Sequence, residues 1–174
     1  MDLIRTVGHG TLSDVELGDL LEEAGVTTLV DVRRYPGSRR NPQFNTGEMA
    51  RWLPERGIEY HWMEGLGGRR RVSESSVNTA LRNEQFRAYA DHMASDEFRH
   101  ASDELRNLTT VTSVSVMCSE SVWWRCHRRL LADHLVLVER KAVEHLFHDG
   151  RTGAHPVTPG ARRQGDRVVY DVAD

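Results

Sequence analysis

The stretch Thr27-Thr28-Leu29-Val30-Asp31-Val32-Arg33 decides how this chain is read. Its compact, β-branched run predicts a strand buried on both faces, as in the interior of a parallel sheet. Upstream, Ser13-Asp14-Val15-Glu16 is a capping-box signature, in which serine and glutamate satisfy orphan backbone N–H groups. Leu17, Leu20, Leu21 and Ala24 follow at helical spacing, and Gly25 supplies the stop. Before that helix, Leu3 to Gly8 reads as a short strand. One strand–helix–strand unit is therefore in place.

The pattern continues toward the C-terminus. A polar loop, Arg33 to Asn45, is punctuated by Pro36, Gly37 and Pro42, and a short helix follows with Met49, Trp52 and Leu53 on one face. Pro54 is expected to kink or shorten it. Ile58 to Met63 reads as a third strand and Glu64 to Arg71 as a glycine-rich loop. Two helices come next, one carrying Phe86, Tyr89, Ala90 and Met93, the other Phe98, Ala101, Leu105 and Leu108. Ser113 to Cys118 is the fourth strand, and a loop leads to a helix bearing Leu130, Leu131, Leu135 and Val138. Ala142 to Phe147 is the fifth strand. Val168-Val169-Tyr170 is read as an edge strand or a packed arm.

Strands alternating with helices imply an α/β fold: three layers, a mostly parallel five-stranded sheet, and helices on both faces. Residues 1–148 form the domain, with 149–174 its tail or edge strand. A length of 174 residues, 39% hydrophobic and 28% charged, with net charge −3, suits one globular domain. No apolar run approaches the roughly 20 residues of a membrane span. The opening Met1-Asp2-Leu3-Ile4-Arg5 has no signal-peptide layout, and two cysteines make no disulfide framework. The expected location is the cytoplasm.

Lys141 is the only lysine, so nearly all positive charge is arginine, clustered at Arg33-Arg34, Arg39-Arg40, Arg69-Arg70-Arg71 and Arg128-Arg129. Genomic base composition explains the overall bias. The clusters offer planar forks suited to carboxylate or phosphate. In open parallel sheets, ligands bind beyond the carboxyl ends of the strands. His9, Asp31 with Arg33, Glu64, Cys118 and His145 come from five strand ends, which points to a site at that edge.

These residues carry a resemblance. Thr6-Val7-Gly8-His9, Asp31-Val32-Arg33 with Pro36 and Ser38-Arg39, and Leu66-Gly67-Gly68 after Tyr60 form a recognisable series. With Cys118-Ser119-Glu120, Cys126-His127-Arg128 and Val143-Glu144-His145, the chain resembles the domain-of-unknown-function 488 family from about residue 3 to 148. The element C-x7-C-H-R is the most specific part. Ser119 stands where alanine is common, and Glu139-Arg140-Lys141 replaces the usual glycine turn. The resemblance implies a fold and names no reaction. A weaker one is to rhodanese-like domains, in which a strand ending Asp-Val-Arg precedes a strand ending in cysteine. Here the loop after Cys118 is longer and lacks glycine.

The candidate catalytic residues are Cys118, Cys126, Glu120 and His127; the candidate ligand-binding residues are His9, Arg33, Ser38, Arg39, Arg40, Asn41, Gly67 and Arg128. Cys126 is placed in the first turn of a helix beside Arg125, His127 and Arg128, where dipole and positive neighbours favour a thiolate. Burial as a small apolar residue is the other reading of either cysteine. Glu120 is a candidate acid or base, or a salt-bridge partner of Arg33 or Arg128. Asp31 is expected to orient Arg33 or His9. The loop from Ser38 to Phe44 can grip phosphate and stack on a base, or its arginines can pair with surface carboxylates. Trp123-Trp124 is read as packing. His92, His100, His134 and His155 receive no role.

The leading expectation is a pocket for an anionic, phosphate-bearing ligand, a nucleotide or nucleic acid, with cysteine chemistry. In it Arg33, Arg39 and Arg128 clamp the anion. The alternatives are a non-catalytic nucleic-acid-binding module and a zinc-stabilised regulatory domain. Zinc, through Cys118, Cys126, His127 and His9, is the one cofactor considered, although the cysteine spacing is not that of a structural zinc hook.

Overall fold

The computed structural model describes residues 3–172; Met1, Asp2, Ala173 and Asp174 lie outside the described residues. The elements are β1 (Leu3–Gly8), α1 (Asp14–Glu23), β2 (Thr28–Asp31), α2 (Thr46–Glu55), β3 (Glu59–Trp62), α3 (Glu84–His92) and α4 (Asp96–Thr109). They continue with β4 (Val114–Cys118), α5 (Arg128–Leu137), β5 (Ala142–Leu146), β6 (Thr152–Ala154), β7 (Arg162–Gln164) and β8 (Arg167–Val169).

One six-stranded sheet runs in the order β3-β2-β4-β1-β5-β6. The first five strands pair in parallel, and β6 adds antiparallel to β5. The five-strand reading is thus corrected by one strand. Thr152-Gly153-Ala154 has no apolar alternation to announce it, and it pairs because the chain turns back directly from β5. Val168-Val169-Tyr170 does not join this sheet. β8 pairs with β7 in a separate hairpin whose Val168, Val169 and Tyr170 are buried against the body.

Each strand divides its side chains between two cores by simple alternation. Val7, Leu29 and Met117 meet α1 and α2 through Leu17, Leu21, Met49 and Leu53. Ile4, Val30, Val116 and Cys118 meet α3, α4 and α5 through Tyr89, Phe98, Leu105, Leu130 and Leu131. The sheet is therefore a middle layer covered on both faces.

Ser13 caps α1, its Oγ accepting from the Glu16 N–H at 3.0 Å. Gly25 closes the helix at φ +69. α2 runs through Pro54 and stops one residue later. Strand order explains the position of the site. From β1 the chain crosses outward to β2 and β3, whereas from β4 it crosses to β5 on the other side of β1. Loops leaving neighbouring strand ends in opposite directions open a crevice between them.

Candidate functional site

The loops after β1, β2 and β4 enclose a cavity of about 470 Å³. Its lining includes His9, Arg33, Ser38, Asn41, Cys118, Glu120, Cys126 and His127, brought together from four segments of the chain. Arg39, Arg40, Gly67 and Arg128 are not among the lining residues. Arg39 and Arg40 stand exposed outside the cavity. Gly67 lies beneath the wall, where a Cβ would come within 2.6 Å of the Arg34 nitrogen. Glu64 is exposed and does not reach the cavity.

The two sulfurs lie at the carboxyl end of β4, Cys118 Sγ to Cys126 Sγ 3.1 Å, with both cysteines free. Cys118 is only 2% exposed, whereas Cys126 is half-buried. Cys126 is not in the first helical turn. Its backbone is extended (φ −131, ψ 174), His127 is the cap residue, and α5 begins at Arg128. The sulfur reaches back to accept from the Arg128 backbone N–H at 3.4 Å, so the helix start still points at it.

Arg128 is 1% exposed. Its Nε donates to Cys126 Sγ at 3.4 Å, and its terminal nitrogens donate to Thr6 Oγ1 (3.2 Å) and to the carbonyls of Glu120 (2.6 Å) and Ser121 (3.4 Å). No carboxylate pairs with it among the described residues. A buried guanidinium requires a counter-charge, and the nearby anionic candidate is the Cys126 thiolate. Burial by itself raises the Cys126 pKa. The Cys118 thiol donating to it and the Arg128 charge outweigh this and bring it down to about 5. Burial, with that same donated hydrogen bond, pushes Cys118 well up. The two shifts run in opposite directions, toward a thiolate at Cys126 and a thiol at Cys118.

Arg33 is engaged in a different way. It forms a buried fork on Asp31 (Nε–Oδ1 2.8 Å, NH2–Oδ2 2.7 Å) and donates to the carbonyls of Pro36 and Phe44. Its NH1 lies 3.3 Å from His9 Nε2, and Tyr60 OH also donates to Asp31. Asp31 thus orients Arg33, and Arg33 faces His9, whose Nδ1 bonds the Gly10 carbonyl. Burial, then the Arg33 charge, lowers the His9 pKa to about 4, so the ring is neutral. Neither Arg33 nor Arg128 has a fork left over for an anion. Arg33 nevertheless lines the cavity, whereas Arg128 lies behind its lining.

His127 bonds the Val32 carbonyl through Nε2 at 2.7 Å and is held neutral by burial. Gly68 packs on its other nitrogen, leaving 2.9 Å between Nδ1 and the place of a Cβ. The Glu120 backbone carbonyl accepts from Arg128 at 2.6 Å and lies 3.6 Å from Cys118 Sγ. Its carboxylate forms no ion pair with Arg33 or Arg128 among the described residues. Ser38 and Asn41 bond each other across the loop turn.

The sequence reading missed the cavity rim. Arg34, Arg69 and Arg125 line it, together with Tyr35, Phe86 and Tyr89. Arg34 donates to the Arg69 carbonyl, and its Nε is buried without a partner among the described residues. Arg69 sits at φ +56, a conformation costly for a side chain. Helix α3 brings Phe86 and Tyr89 in from far along the chain, and no local pattern marks them as cavity residues.

His145 does not reach the cavity. It is buried on the α5 face of the sheet in a chain anchored by Asp133, which accepts from Thr158 N–H, Tyr170 OH and His155 Nε2. His155 Nδ1 then accepts from His145 Nε2 at 2.9 Å, His145 Nδ1 accepts from Thr6 at 2.6 Å, and Thr6 accepts from Arg128. Trp123 stacks on His145 at 4.2 Å, while Trp124 is 45% exposed. His155, given no role from sequence, is the link between Asp133 and the site.

Comparison with known proteins rests on one match. A family model described as domain of unknown function DUF488 matches residues 14–135. The chain belongs to this family. The DUF488 match contains Arg33, both cysteines and Arg128, and His9 precedes it. No curated protein and no solved structure matches the chain, so the rhodanese-like resemblance gains no support. Among the described residues, no group of three or more His, Cys, Asp or Glu side chains is placed to hold a metal ion. No helix among the described residues is long and apolar enough to cross a membrane.

Proposed function

We propose that this DUF488 domain binds a phosphate-bearing anionic ligand, such as a nucleotide or the end of a nucleic acid, and presents it to Cys126 as a nucleophile. The observation that carries this reading is the buried Arg128, which faces Cys126 Sγ and has no carboxylate partner among the described residues. A thiolate satisfies that charge and is the reactive form of cysteine. Arg34, Arg69 and Arg125 supply the anion attraction at the rim, since none of them pairs with a carboxylate among the described residues. The strained backbone of Arg69 and the orphan Nε of Arg34 support a ligand at this rim. Phe86, Tyr89 and Tyr35 give flat surfaces for a base or other aromatic group. Glu120, whose carboxylate is not tied up in an ion pair, is the candidate proton carrier. Two free thiols suit the reducing cytoplasm.

A thermal-shift panel of inorganic phosphate, nucleotides and short oligonucleotides tests this reading, because a specific ligand stabilises by mass action. Some phosphate-bearing member should raise Tm, and Arg69→Ala with Arg125→Ala should abolish the rise without lowering the unliganded Tm. A panel with no effect contradicts the reading.

One observation favours a second reading. Tyr35 is exposed on the same loop as the exposed Arg39 and Arg40, an arrangement suited to stacking on single-stranded nucleic acid without chemistry. Oligonucleotide affinity that falls steeply with salt and is unchanged in Cys126→Ser would support it.

A further inference from the structure

We infer that Cys126 and Cys118 are an attacking and a resolving thiol, and that the pocket reduces a small anionic disulfide by thiol–disulfide exchange. This rests on the reading of the pocket as an anion site with Cys126 as nucleophile, and it assigns the reaction.

The geometry is that of two sulfurs in series. Cys126 is the more accessible, and Cys118 lies 3.1 Å from it at the end of a buried strand. A hydrogen-bond donor alone would be better supplied by a hydroxyl, since S–H is a weak donor. Bonded sulfurs sit about 2.05 Å apart, so the pair closes by a shift of about 1 Å, and Cys126 lies on a loop without helical constraint. Neither thiol is bonded elsewhere. The cavity of about 470 Å³, with aromatic walls and an arginine rim, has room for an organic disulfide bearing phosphate or carboxylate.

The steps balance. The Cys126 thiolate attacks one sulfur of R–S–S–R′, forming Cys126–S–S–R and expelling R′S⁻. The charge facing Arg128 is then gone from Cys126, and the guanidinium, which also favours the ionised form of Cys118, draws that thiol toward thiolate. Cys118 gives up its proton, attacks Cys126 Sγ and breaks the mixed disulfide. RS⁻ leaves and takes up that proton. The substrate gains two electrons, the cysteine pair loses two, and a separate dithiol reductant must reset the pair.

The test uses the reduced full chain and two probes, the dianionic aromatic disulfide dithiobis(nitrobenzoate) and the neutral dithiodipyridine. With the anionic probe the protein should release two thionitrobenzoates per chain, end with a Cys118–Cys126 disulfide and carry no adduct. Cys118→Ser should release one and keep a stable adduct on Cys126. Cys126→Ser should react slowly or fail to fold, and the Cys118→Ser arm decides without it. A wild-type protein that retains an adduct on either cysteine, or does not react, overturns the exchange assignment. If the neutral probe reacts as fast as the anionic one but still closes the pair, the exchange stands and the anion reading of the pocket fails.

Discussion

Arg128 donates its Nε to the Cys126 sulfur while its terminal nitrogens hold Thr6 and the carbonyls that follow β4. One side chain thus joins the nucleophile candidate, the loop that shapes the cavity and the buried chain through His145 and His155 to Asp133.

Arg128→Lys keeps a charge but cannot reach these groups together, because an ammonium lacks the planar fork. The variant should label at Cys126 about tenfold more slowly at neutral pH, and urea unfolding should show a loss of roughly 2–4 kcal/mol for the broken buried network. Unchanged labelling would mean that Arg128 is packing only.

A second prediction concerns the turn ahead of β5. Arg140 lies at φ +59 ahead of β5, a left-handed conformation that costs a non-glycine residue about 1–2 kcal/mol. Arg140→Gly should raise stability by up to about 1 kcal/mol, since glycine also gives more entropy to the unfolded chain. Chemical denaturation measures it, and cavity-dependent properties should not change.

Acid should destabilise the fold through its buried histidines. Burial, then the neighbouring His155 and Arg128, lowers the His145 pKa to about 3, and burial lowers that of His9 to about 4. In the unfolded chain both titrate near 6.5. Folded-state values below the unfolded value mean that the unfolded chain binds more protons in this range. Their stabilisation is therefore complete above pH 6.5 and is lost as pH falls toward 4 and then 3. Tm measured from pH 7 to 4.5 should drop, and His145→Gln should make the drop shallower. A flat profile would contradict the neutral, buried assignment.

The periodicity of apolar residues made the layers legible, because alternation in strands and i, i+4 spacing in helices record burial directly. Thr27 to Val32 and the Ser13 cap are found in the structure where the pattern places them. Thr152–Ala154 was not legible, since an edge strand needs little apolar content to pair. At the site, strand ends located His9, Arg33 and Cys118, but residue type did not tell framework from rim. Arg33 and Arg128 look like anion clamps in sequence and are consumed by Asp31 and by carbonyls in three dimensions. Arg69 and Arg125, legible in sequence only as a member of a basic cluster and a neighbour of Cys126, line the cavity. Hydrogen-bond partners distant in the chain decide these roles, and local spacing carries no record of them.

The thiolate at Cys126 is tested most directly by labelling the folded protein with iodoacetamide between pH 4 and 10, with peptide mass spectrometry reporting each cysteine. Only the thiolate alkylates, so the rate follows the ionised fraction. Cys126 should label first, with its rate rising through about pH 5 and level above neutrality, while Cys118 stays protected until far higher pH. A Cys126 rate that rises only through the ordinary thiol range near pH 8.5, or faster labelling of Cys118, would contradict the account.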